Sequence, residues 1–152
     1  MPVNESTKSE NELKKAFLRQ YAECVRRINR IDDELDELRL MKMCPSVKQS
    51  DGMPHGHGGV NDLSGYAVEL EMLEEKLRAE RYKRMKVFEK ISEQINKLED
   101  QNEIDVLFYR YIRQLDWWKI AERMNYSGRW IYKLHGKALM HLELPKEFIE
   151  VQ

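Results

Sequence analysis

The sequence predicts an all-α fold: a long antiparallel coiled-coil helical hairpin followed by a small C-terminal domain of short helices. Three observations predict it. Charged residues make up 35% of the 152 and hydrophobic residues 41%, with only seven Gly and four Pro. A composition rich in Glu, Lys, Arg and Leu favours long helices over sheets. Apolar residues recur at helical spacing along two long stretches, and shorter periodic stretches follow them.

Residues 1–10 form a polar lead-in. "MPVNESTKSENE" lacks the apolar core of a signal peptide. The first long helix is expected from about residue 11 to residue 43. Its seam is Phe17, Tyr21, Cys24, Ile28, Ile31, Leu35 and Leu38, in steps of 4, 3, 4, 3, 4 and 3. That is a heptad seam, not the broader stripe of a globular helix. Charged pairs such as Glu23–Arg27 stand at i,i+4 on the other faces. Two helices alone bury little, so a second chain is expected to complete this seam and make a homo-oligomer.

Pro45 ends the first helix, because it has no backbone N–H to donate. The stretch over 44–64 carries most of the glycines and reads as a long loop. Its His55 and His57, with Cys44, offer only three candidate metal ligands on a glycine-rich segment. A structural site needs three or four convergent ligands, so no metal is expected. The second helix is expected over about 65–100, completing a hairpin over 11–100. Its stripe is Tyr66, Leu70, Leu73 and Leu77, then Phe88, Ile91, Ile95 and Leu98, with an interruption at Glu80, Arg81 and Arg84.

Beyond "EDQNE" the helices shorten. A helix over 103–114 carries Ile104, Leu107, Phe108, Tyr111 and Ile112. Two more, over 117–124 and 127–141, meet at "NYSG", and a tail over 143–152 holds Phe148 and Ile149. From Glu103 to Leu142 there are seven Lys/Arg against four acids, a local charge of +3 in a chain whose net charge is −1. Such asymmetry can mark a nucleic-acid surface.

The stretch "WWKIAERMNYSGRWIYKLHGKAL" has the parts of a helix-turn-helix over 103–142. Ile120 precedes Ala121, the small residue where two helices cross. Four residues on, Asn125 sits at the turn, and Asn is the non-glycine residue that best tolerates positive φ. Ser127 is placed to cap the next helix. Ile131 and Leu134 follow at a helical step, then Ala138, facing the core. The opposite face presents Gly128, Arg129, Tyr132, Lys133 and Lys137. Trp117 is expected in the core and Trp118 half exposed, while Trp130 either covers the core edge or rests against a sugar. His135 is expected on the helix surface, near a phosphate.

The stretch resembles region 4 of bacterial sigma factors, with the pattern "EIA..LG.S...V...H..AL..L" met here by "KIAERMNYSGRWIYKLHGKALMHL". Together with "FYRYI", Trp117 and "YKLHGKAL", it is similar to late transcription regulators of the ArpU and RinA kind from phages of Gram-positive bacteria. Two features differ: Asn125 replaces the usual turn glycine, and Trp118 and Trp130 stand where polar residues are frequent. The resemblance implies a DNA-binding regulator acting in the cytoplasm of a bacterial host, with double-stranded DNA and RNA polymerase as partners. The competing reading is a protein-interaction module that engages RNA polymerase or another phage protein through the coiled coil.

Neither a glycine-rich phosphate loop, a nucleophile elbow nor a carboxylate pair is present, so no enzyme and no cofactor are expected. No apolar run nears the ~20 residues of a membrane span.

Overall fold

The computed structural model describes residues 5–43 and 60–150, and all its regular elements there are helical. They are α1 (Glu5–Met43), α2 (Val60–Asn96), α3 (Gln101–Leu107), a π-helical turn (Phe108–Ile112), α4 (Trp117–Met124), α5 (Gly128–His141) and α6 (Lys146–Glu150). The expected loop lies mostly outside the described residues, with Cys44, His55 and His57, and residues 60–64 already belong to α2. The interruption of the apolar stripe at Glu80, Arg81 and Arg84, none of them buried, leaves α2 a continuous helix. Among the described residues no helix is long and apolar enough to cross a membrane.

The chain divides into two compact units. One comprises Val25–Lys83. Here α1 and α2 run antiparallel, as the contacts at its two ends show. Arg27 Nε donates to Glu80 Oε2 at 3.1 Å, and the Lys42 ammonium lies 4.7 Å from the centre of the Tyr66 ring. Ile28, Ile31 and Leu35 of α1 are buried with Leu77 of α2, and Leu70 and Leu73 pack against them. Tyr66, Leu70, Leu73 and Leu77 thus take the side facing α1, as their 4, 3, 4 spacing requires.

The other unit comprises Met1–Cys24 and Arg84–Gln152. Its core joins Phe17 and Leu18 of α1, Ile91 and Ile95 of α2 and Leu98 just beyond it to residues of every later helix through α5, including Val106, Leu107, Ile120, Ile131, Leu134 and Leu139. Phe148 of α6 packs on this core, its ring 5.4 Å from that of Phe17.

The seam expected to meet another chain is therefore largely covered by this one. Phe17, Cys24, Ile28, Ile31 and Leu35 are buried, and Tyr21 and Leu38 are partly buried. The heptad spacing located the buried side of α1 correctly but could not say which chain buries it.

The expected helix over 103–114 is two elements. Asp100 caps α3 by accepting the Asn102 N–H at 2.9 Å. The backbone then widens, with the Arg113 N–H donating to the Phe108 carbonyl five residues back at 3.0 Å. Gln114 leaves the turn at φ 56°, and this redirects the chain into α4. Such π turns are rare and recur at functional sites.

Candidate nucleic-acid interface

The α4–α5 corner is built by local hydrogen bonding. Asn125 adopts the left-handed conformation, φ 57° and ψ 41°. Its N–H donates to the Glu122 carbonyl at 3.3 Å, and the Tyr126 N–H donates to the Ala121 carbonyl at 3.0 Å. These two bonds form a Schellman C-cap, which needs a residue tolerant of positive φ. Two residues later the Ser127 Oγ accepts the Trp130 N–H at 3.2 Å and caps α5. Ile120, Ile131, Leu134 and Ala138 are buried, and Ala121 packs partly buried at the crossing.

A buried lysine fixes the far end of α5. Lys14, on α1, is only 4% exposed, and its Nζ donates to the Leu139 carbonyl at 2.9 Å. Glu10 pairs with it at 3.0 Å. A cation at a helix C-terminus satisfies carbonyls that have no intrahelical donor and opposes the negative end of the macrodipole. His141 Nδ1 lies 2.9 Å from both oxygens of buried Glu103, joining the last turn of α5 to α3. A capping lysine placed just before the seam begins at Phe17 was not legible, because on a charged helix it reads as one more solvated side chain.

Gly128, Arg129, Tyr132, Lys133 and Lys137 are all exposed on α5, beside Trp130 and Gly136. Arg129 and Lys133, one turn apart, have no ion-pair partner among the described residues. The Lys137 ammonium sits 5.2 Å from the Trp130 ring centre, so this tryptophan steadies a cation at the surface. Tyr132 leans on Trp117, ring centres 4.9 Å apart, and the Arg110 guanidinium covers Trp117 at 4.3 Å. Trp117 is accordingly half-buried at the edge of the core, and Trp118 is 63% exposed. Lys119 and Arg123 on α4 add further exposed positive charge.

His135 corrects the sequence reading. It is 8% exposed, with Nε2 2.8 Å from the Tyr111 hydroxyl and its ring 4.8 Å from that of Trp117. Burial, aided by the positive charges of Lys15, Arg110 and Arg19, lowers its pKa from 6.5 to about 4. It belongs to the packing beneath the interface and makes no part of its outer face.

Gly136 was missed as a functional candidate. A glycine inside a helix costs about 1 kcal/mol relative to alanine. Nothing within the chain demands it here, since an added Cβ would meet no atom within 4 Å. It shares the exposed side of α5 with Lys133 and Lys137. Its signal was present in the sequence as a lone Gly in a helical pattern.

Among the described residues, no group of three or more His, Cys, Asp or Glu is placed to hold a metal ion. No curated protein and no solved structure matches the chain. Residues 56–143, more than half of the chain, match the model of a family described as Protein of unknown function (DUF1492), and the chain belongs to that family.

Proposed function

We propose that this member of the DUF1492 family is a sequence-specific, DNA-binding transcription regulator of phage or prophage origin. In this reading it works in the bacterial cytoplasm, self-associates through its long N-terminal helices and has no enzymatic activity. The observation that carries it is the left-handed turn at Asn125, which sets a capped α5 against the core with its cationic side facing solvent.

Helix α5 enters the major groove in this reading. Arg129 addresses guanine, whose O6 and N7 suit a bidentate guanidinium. Lys133 and Lys137 contact phosphates, and Tyr132 meets a phosphate or a thymine methyl group. The N–H groups at the Ser127-capped end of α5 hold a further phosphate. Phosphate contacts set the register of α5 on the duplex, and base contacts supply the specificity.

Titration against fragments of the protein's own genomic neighbourhood tests this. One fragment should bind more tightly than bulk DNA. For three phosphate contacts, affinity should fall roughly 40-fold between 50 and 200 mM salt through counterion release. Equal, weak binding to every fragment would sink the reading. It would favour the alternative, in which the long helices engage RNA polymerase or another phage protein, a reading supported by the exposed Val68 and Met72 of α2.

Gly136 supplies a prediction in which stability and binding move in opposite directions. Gly136→Ala should raise folding stability by up to about 1 kcal/mol. It should also weaken DNA binding, because a methyl group then occupies space left for the approaching backbone. Thermal melting and the same titration read the two effects; a variant that gains stability and keeps its affinity removes that role from Gly136.

A further inference from the structure

With the α1 seam largely covered within one chain, self-association needs another surface, and α2 offers one. Val68, Met72 and Tyr82 are 55, 58 and 60% exposed, and Ala79 is exposed between them. Together with Glu75 they recur in steps of 4, 3, 4 and 3, a second heptad stripe. At about 100° per residue, this stripe lies on the side of α2 opposite Leu70, Leu73 and Leu77, which take the α1 side. The exposed charges along its flanks are polarised. Glu69 and Glu71 stand at one end, Arg78 and Lys83 at the other, with Glu75 and Lys76 in the middle.

We propose that α2 pairs antiparallel with α2 of a second copy of this chain, across a two-fold axis near Glu75. In that register Val68 meets the partner's Tyr82, and Met72 meets the partner's Ala79. Glu71 lies beside the partner's Arg78 and Glu69 beside the partner's Lys83, and symmetry makes each pair occur twice. Near the axis, Glu75 of each copy comes close to Lys76 of the other. The two Glu75 carboxylates also approach each other there, but each is already held by its own Arg78 at 2.6 Å. A parallel pair would set Arg78 beside the partner's Lys83, cation against cation. Charge complementarity therefore selects a second copy in the antiparallel sense. The contact spans about four helical turns, small for a stable interface, so the dissociation constant should be roughly micromolar or weaker. An isologous dimer of this kind matches a DNA site with two-fold symmetry.

The proposal deepens the self-association part of the reading above and does not depend on DNA binding. Measured without DNA, its failure leaves the DNA reading standing, and the reverse also holds. The test is sedimentation equilibrium of the full chain from about 1 to 200 µM, with helicity checked by circular dichroism. The native chain should pass from one to two copies. Met72→Glu should remain monomeric throughout. Glu69→Lys should weaken the dimer, and adding Lys83→Glu to it should restore the native association. A native chain that stays monomeric overturns the proposal. So does a dimer indifferent to Met72→Glu, and so does a charge-swapped chain that gains no rescue.

Discussion

Arg129→Ala is expected to weaken binding to the preferred DNA fragment by about 1–3 kcal/mol and to relax the choice of base at one position. Lys133→Ala should act differently. It should lower affinity for all sequences alike and reduce the salt slope by about one phosphate. The distinction follows from chemistry: the guanidinium presents paired donors in a fixed plane, whereas the ammonium is a compact point charge. Both side chains are exposed and neither forms an ion pair among the described residues. Their removal should therefore leave stability within about 0.5 kcal/mol of the native chain. That separation makes the result interpretable, since lost affinity cannot be attributed to lost folding. Competition titrations against single-base variants of the fragment read both effects. If Arg129→Ala keeps its affinity and its base preference, Arg129 reads no base.

What was legible in the sequence was local. Asn125, Ser127, Ile131 and Leu134 define the corner because each acts within a few residues, through a left-handed turn, a cap and a helical step. Their spacing alone carries the geometry. What was not legible depends on residues far apart in the chain. Lys14 is buried because the end of α5, 125 residues later, supplies carbonyls to it. The seam of α1 is covered by this chain's own α2 and C-terminal helices, a choice that heptad spacing leaves open. The π-helical turn at Phe108–Ile112 was invisible for another reason: "FYRYI" continues an apolar helical pattern, and one carbonyl skipped in the hydrogen-bond ladder leaves that pattern unchanged.

His135 combines both lessons. Counted along α5, it stands one turn from both Ile131 and Leu139, which are buried, although its side chain is polar. Tyr111 and Trp117, from two other elements, close over it. The consequence should appear as acid lability. The imidazole is neutral in the fold, where its pKa falls from 6.5 to about 4, mainly through burial. The unfolded chain therefore binds a proton more readily than the folded one. Its contribution to stability is fully present above pH 6.5 and is lost as pH falls from there toward about 4. The loss is up to about 3 kcal/mol from this one group. When neutral, Nε2 can accept the Tyr111 hydroxyl; once protonated, it faces that hydroxyl as a second donor. His135→Gln retains a hydrogen-bonding group but removes the titration. The stability difference between the native chain and this variant, followed by denaturant unfolding from pH 7.5 to 4.5, should shift steadily in favour of the variant. A difference independent of pH would mean that the buried ring does not resist protonation. Because Tyr132 also rests on Trp117, the same acid step should loosen the outer face of α5. DNA affinity should then decline only as pH approaches about 4, where the folded imidazole takes up its proton, and less so in His135→Gln.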